Sequence, residues 1–160
     1  MLGAVHVAAA RDDVPELRRL RESGAALDEL APDELAPDDV LTAFAVGGDL
    51  GGLRPLHVAA RAGAARALAF LLDAGADLDA ADARDDAFTP LHHATVAHEL
   101  YCVAALVARG ARVAERDAAG NAPLHWACYR GDAEAAALLV NLGASCEERT
   151  ADAPRAGEEA

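Results

Sequence analysis

A chain of 160 residues is long enough for one ordinary domain or a short array of repeats. Its 53% hydrophobic and 26% charged content excludes wholesale disorder, and with only 4% aromatic residues the core must rely on alanine and leucine. A net charge of −13 repels phosphate backbones, which excludes nucleic-acid binding unless a local basic patch provides it. The densest basic run, ELRRLR at Glu16–Arg21, is one or two helical turns among acidic neighbours, so no nucleic-acid partner is expected.

The opening MLGAVHVAAARDD has no basic leading segment and meets charge at Arg11, unlike an export signal. No apolar run approaches the roughly 20 residues that span a bilayer. Cys102, Cys128 and Cys146 cannot all pair within the chain and form no CxxC. Together these features lead us to expect a soluble intracellular protein, cytoplasmic or nuclear, without membrane partners and with free thiols.

Along the chain one pattern recurs. It is faint in GAVHVAAARD, Gly3–Asp12, and clear in RPLHVAARAG (Arg54–Gly63), TPLHHATVAH (Thr89–His98) and APLHWACYRG (Ala122–Gly131). The last three are centred on His57, His92 and His125, spaced 35 and 33 residues apart, and the first on His6. A glycine follows each histidine by 18 residues, at Gly24, Gly75, Gly110 and Gly143, and alanine follows each glycine. Pro55, Pro90 and Pro123 suit the first turn of a helix, where a missing N–H costs nothing. The small pairs Ala59–Ala60, Ala94–Thr95 and Ala127–Cys128 allow neighbouring helices to approach closely. The stripes Leu68, Leu71, Leu72 and Val103, Leu106, Val107 predict a second helix per unit, ended by a glycine in the left-handed conformation.

These residues resemble the ankyrin repeat, whose motif runs T-P-L-H-x-A-A, a leucine pair and G-A-D; the closest copy is RPLHVAARAG followed by LAFLLDAGADLDA (Leu68–Ala80). The resemblance covers about 1–28 and 52–148 and implies an all-α solenoid of stacked helix–turn–helix units with projecting loops. We expect a cap-like first repeat at 1–28, an acidic inserted loop at 29–51, repeats at 52–83, 84–116 and 117–148, and a disordered acidic tail at 149–160. In the first copy Leu20–Arg21 replaces the leucine pair, which fits a polar end cap. Within the insertion, DDVLTAF is compatible with a short helix capped by Asp38 or Asp39 and facing the array through Leu41 and Phe44. The insertion itself reads either as a tolerated surface loop or as a recognition loop. At the other end, either Leu138, Leu139 and Leu142 leave an exposed apolar edge or further repeats follow in a longer chain. His98 stands where Gly63 and Gly131 end their first helices, so an irregular third turn is expected; Arg54 and Ala122 lack the hydroxyl that Thr89 carries.

The resemblance assigns His57, His92 and His125 to backbone hydrogen bonding within and between repeats. Metal binding is disfavoured, because stacking sets histidines one per repeat about 10 Å apart while zinc needs ligands converging at about 2 Å. The cluster His92, His93 and His98 also diverges on a helix. Cys128, standing in for a packing alanine, is expected to be buried, and Trp126 to pack between helices. Ser23 and Ser145 lie in no nucleophile elbow and no phosphate-binding glycine loop is present, so we expect no enzyme, cofactor or metal.

What remains is binding of another protein by a monomer, acting as scaffold or adaptor through a concave surface. On matching positions the family's contact surface includes Leu53, Arg61, Ala62, Asp85, Asp86, Phe88, Val96, Ala119, Asn121, Tyr129 and Arg130. The alternative reading is a regulatory or substrate-adaptor fragment of a larger protein, such as a ubiquitin-ligase component or a multidomain enzyme. The overall charge suggests a partner surface of basic character.

Overall fold

The computed structural model describes residues 3–29, 51–84 and 86–145. The expectations for Asp38, Asp39, Leu41 and Phe44, for Asp85, for Cys146 and for the tail lie outside the described residues. Among the described residues there are eight helices and no strand, arranged as four antiparallel pairs. They are α1 (Ala4–Ala10) with α2 (Val14–Glu22), α3 (Pro55–Ala62) with α4 (Ala65–Asp73), α5 (Pro90–Val96) with α6 (Leu100–Ala108), and α7 (Pro123–Tyr129) with α8 (Ala133–Asn141). First helices stack in the order α1–α3–α5–α7 and second helices in the order α2–α4–α6–α8. The first and second pairs are neighbours in space although 29–51 separates them in sequence.

The chemistry of the small residues explains the close stacking. Ala59, Ala60, Ala94 and Ala127 are completely buried, and Thr95 nearly so, along the row of first helices. Between the two rows lie Leu17, Leu20, Leu68, Leu71, Val103, Leu106 and Leu139, all buried; each such side chain contributes about 1.5–3 kcal/mol on removal from water. The outer face of α2 is polar, with Arg18, Arg19, Arg21 and Glu22 exposed.

At the far end of the stack one alternative and one expectation give way. The three leucines do not form an exposed edge: Leu139 is buried and Leu138 and Leu142 are half-buried, packed against the core, while Val140 is the large aliphatic residue of α8 left exposed. Cys128 is exposed. Its counterparts Ala60 and Thr95 are covered by the next first helix, whereas among the described residues no helix follows α7 on that side.

Both turns of every unit repeat the same hydrogen bonds. The amides of Asp13, Ala64, Glu99 and Asp132 donate to the carbonyls of Ala8, Ala59, Ala94 and Ala127, each at 2.9 Å. The second helices end alike, the amides of Ala25, Ala76, Ala111 and Ala144 donating to Leu20, Leu71, Leu106 and Leu139 at 2.9–3.0 Å. The first set of bonds requires a left-handed residue in the turn, and it is taken by Gly63 (φ 70°) and Gly131 (φ 68°), but also by Asp12 (φ 56°) and His98 (φ 61°). The third turn is therefore regular, contrary to the expectation from sequence: the bonds hold His98 in a conformation that a side chain ordinarily disfavours.

The turns of the first three units each lean on the second helix of the next unit. Asp12 Oδ1 accepts from the Ala67 amide at 2.6 Å, capping α4, whose own N-cap is an alanine. His98 Nδ1–H donates to Asp132 Oδ2 at 2.6 Å, while Asp132 Oδ1 accepts from the Ala135 amide to cap α8. At Gly63 the neighbour is the Glu99 carboxylate, which a Cβ at position 63 would strike, whereas a Cβ at Gly75 (φ 94°) would meet open space. Gly75→Ala is accordingly expected to cost about 1 kcal/mol, from backbone strain alone. Gly63→Ala (φ 70°) should cost about the same, because the atoms it meets are the far end of the flexible Glu99 side chain, which can swing aside; urea unfolding midpoints check both.

Candidate functional site: a ring-lined groove on the loop side of the stack

The motif histidines organise the first helices. The N-caps Arg54, Thr89 and Ala122 each precede a proline and are extended, with ψ between 158° and 165°; proline disfavours the helical conformation in the residue before it. That geometry turns each N-cap amide toward its own histidine. The Arg54, Thr89 and Ala122 amides donate to Nδ1 of His57, His92 and His125 at 3.0, 3.3 and 2.9 Å. Thr89 adds its hydroxyl, 2.8 Å from His92 Nδ1. In the first unit Ala4 stands in place of proline, Gly3 is not extended (φ 107°, ψ −35°), and the buried His6 Nδ1 has no partner among the described residues.

With Nδ1 accepting, the proton sits on Nε2, which donates across to a following loop. His6 reaches the Leu53 carbonyl at 3.0 Å, His57 the Ala80 carbonyl at 2.7 Å and His92 the Asn121 carbonyl at 2.9 Å. Burial pushes the imidazoles of His6, His92 and His57 below their ordinary value, His57 to about 4, with the neighbouring His93 adding to the effect there. His125 is only half-buried.

The loops between units are knotted by two aspartates. Asp82 Oδ1 accepts from the Arg84 and Phe88 amides at 3.3 and 3.1 Å, and Oδ2 from His93 Nε2–H at 2.8 Å. Asp117 Oδ1 accepts from the Ala119 and Asn121 amides at 3.0 and 2.8 Å, and Oδ2 from the Trp126 indole at 2.7 Å. Burial acts to raise the Asp82 carboxyl, but the hydrogen bond and charge of His93, helped by the backbone donor, bring it below its ordinary value. The loops also stack through their backbones, the Ala83 amide on the Gly52 carbonyl and the Ala118 amide on the Asp86 carbonyl, both at 2.9 Å.

These knots line up a row of rings. His57 and His93 are 5.4 Å apart, His93 and Phe88 5.5 Å, Phe88 and Trp126 5.3 Å, and Trp126 and Tyr129 6.0 Å, all edge to face. Two depressions open on the row. One is bordered by Arg61, Arg84, Asp86, Phe88, His93, Val96 and Arg130; the other by Asn121, His125, Trp126 and Tyr129. Tyr129 is 85% exposed.

The structure thus brings Arg61, Asp86, Phe88, Val96 and Arg130 to one groove and Asn121 and Tyr129 to the adjoining shelf. Three expectations need correction. Leu53 is completely buried and belongs to the interior, because its carbonyl side is drawn in by His6. Trp126 lies outside the hydrophobic core and lines the shelf, held there by Asp117. Cys128, already noted, is exposed beside Tyr129. As members of the site, Arg84, His93 and the two loop aspartates escaped the sequence reading; the signal for the aspartates was their place shortly ahead of the Pro-Leu-His motif, Asp82 eight residues before Pro90 and Asp117 six before Pro123. Among the described residues no three His, Cys, Asp or Glu side chains are grouped to hold a metal ion. No helix there is long and apolar enough to cross a membrane.

Stacked helix pairs pinned by a Pro-Leu-His motif define a class of protein, and residues 56–150 match the family described as ankyrin repeats, in three copies. The chain belongs to the ankyrin-repeat family. It is 39% identical over 93 residues to the B-cell lymphoma 3 protein homolog of Mus musculus, covering 58% of this chain and 20% of that protein. It is 46% identical over 54 residues to human protein phosphatase 1 regulatory subunit 27, covering 34% of this chain and 35% of that one. The chain thus spans about a fifth and about a third of the lengths of these relatives.

The buried histidines make stability depend on pH. The folded state keeps His57 neutral down to about pH 4, whereas the unfolded chain takes up a proton near its ordinary 6.5. Stability is therefore complete above about pH 6.5 and falls as pH drops toward 4, by about 3 kcal/mol for this residue. The His98–Asp132 pair acts oppositely, since its hydrogen bond and the Asp132 charge raise the His98 value: its contribution is present at low pH and lost as pH rises through that raised value. Exposed as it is, His98 does not offset the buried imidazoles. Urea unfolding at pH 7.5 and 5.0 should show a lower midpoint at pH 5.0.

Proposed function

We propose that the chain is a non-catalytic protein-binding module, a scaffold or adaptor of the cell interior, whose contact strip comprises Arg61, Asp85, Asp86, Phe88, Val96, Asn121, Tyr129 and Arg130. The observation that carries this reading is Tyr129, 85% exposed at the end of a fixed row of rings and adjoining Arg130 in sequence. Tyrosine, tryptophan and arginine are the residues that most often anchor interfaces, and a strip already held by loop hydrogen bonds loses little freedom on association. Membership of the ankyrin-repeat family, whose members generally engage other proteins, supports the same reading.

The name of the phosphatase relative, a regulatory subunit, supports a second reading in which binding through the strip regulates an enzyme as part of a larger assembly. The two readings share the surface and differ in what is bound. Partners captured on immobilised wild-type protein should be lost, at least about 30-fold in affinity, with Tyr129→Ala/Arg130→Ala. The variant should keep the wild-type urea midpoint, because both side chains are exposed. Equal recovery by the two proteins would move the contact surface elsewhere. Enzyme activity that changes with wild type and not with the variant would select the regulatory reading.

A further inference from the structure

The charge at the groove runs against the charge of the chain. Although the net charge is −13, arginines from three separate elements border one depression: Arg61 near the end of α3, Arg84 in the loop before α5, and Arg130 at the end of α7. Its floor is Phe88, His93 and Val96. Two aspartates also line it, in different states. The Asp82 side chain is 1% exposed and turned inward, its oxygens accepting from Arg84 N–H, Phe88 N–H and His93 Nε2–H. Asp86 is exposed. Arg61 is half-buried, and burial together with the charge of Arg84 lowers its pKa; Arg84 Nε–H donates to the Gly51 carbonyl at 3.0 Å, which fixes its guanidinium at the rim of the depression.

Beside this depression lies an apolar shelf, continuous with it through the Phe88–Trp126 and Trp126–Tyr129 ring contacts. We propose that groove and shelf together take an acidic segment of a partner protein, its Asp or Glu carboxylate among Arg61, Arg84 and Arg130 and a large apolar side chain on Trp126 and Tyr129. This rests on the contact strip proposed above and assigns its partner class. The planar guanidinium matches a carboxylate through paired N–H donors, and the aromatic shelf supplies the apolar contact that a charge alone lacks. The partner surface is thus acidic at the point of contact, the reverse of what the net charge suggests.

Trp126, the chain's single tryptophan, lies on the shelf and reports its occupancy. The probes are two blocked peptides of equal length, one repeating Glu-Ser-Leu and the other Lys-Ser-Leu. The glutamate peptide should shift Trp126 emission saturably and bind at least tenfold tighter than the lysine peptide. Arg130→Gln, at an exposed position, and the double variant Arg61→Gln/Arg130→Gln should weaken it in steps, tenfold or more for the pair, at unchanged urea midpoint. Tighter binding of the lysine peptide, no emission shift with either peptide, or undiminished binding by Arg130→Gln would each overturn the acidic-partner assignment. If those results came with partner capture that was still lost with Tyr129→Ala alone, the strip would stand and only the charge assignment would fall. If capture ignored Tyr129 while the glutamate peptide bound through the arginines, the reverse would hold.

Discussion

Everything in the stack depends on one side chain held at both ends: an imidazole whose Nδ1 accepts from its own N-cap amide and whose Nε2 donates to a carbonyl of a following loop. His92 shows it whole, with Thr89 on one side and Asn121 on the other. The proline of the motif is part of the same device, because it holds the preceding residue extended so that its amide faces the ring. The first unit lacks that proline, and among the described residues His6 Nδ1 is left unpartnered. A helix pair by itself could not bury these rings; His6 and His92 take their carbonyl from the next unit and His57 from the loop that leads to it, so stability passes from neighbour to neighbour.

The same device builds the groove. Where the imidazole draws a loop against a first helix, Asp82 and Asp117 close that loop by binding its amides and then catch a ring on the next helix turn, His93 in one unit and Trp126 in the other. The row from His57 to Tyr129 is thus a consequence of backbone bookkeeping rather than of aromatic attraction alone. Residues that would be mobile on a surface loop are fixed in place, and the arginines of three elements converge on them.

Much of the fold was legible in the sequence because its determinants are local. Prolines, small pairs, leucine stripes and glycines at a fixed spacing each act within a turn or two. What the sequence hid depends on the next unit or on bonds between distant residues. Cys128 has the motif position of a buried alanine, yet among the described residues no helix covers it. His98 does not look like glycine, but the Glu99–Ala94 hydrogen bond imposes glycine's conformation on it. Leu53 and Trp126 exchanged their expected places because His6 draws in the backbone of one and Asp117 anchors the ring of the other. The site residues from Arg61 to Arg130 could be nominated by motif position alone; their meeting with Arg84 and His93 depends on loop hydrogen bonds that join distant residues.

The most direct measurement compares His92→Ala with His125→Ala by urea unfolding at pH 7.5. His92 is fully buried and bonded at both nitrogens, whereas the bond shown for His125 is the one to its own N-cap, at a half-buried position. The account predicts a loss of about 2–4 kcal/mol for His92→Ala and less than about 1.5 kcal/mol for His125→Ala, since only the first strands buried groups of two units. Equal losses would contradict it, because the histidine would then act within its own helix and the bond between units would be incidental.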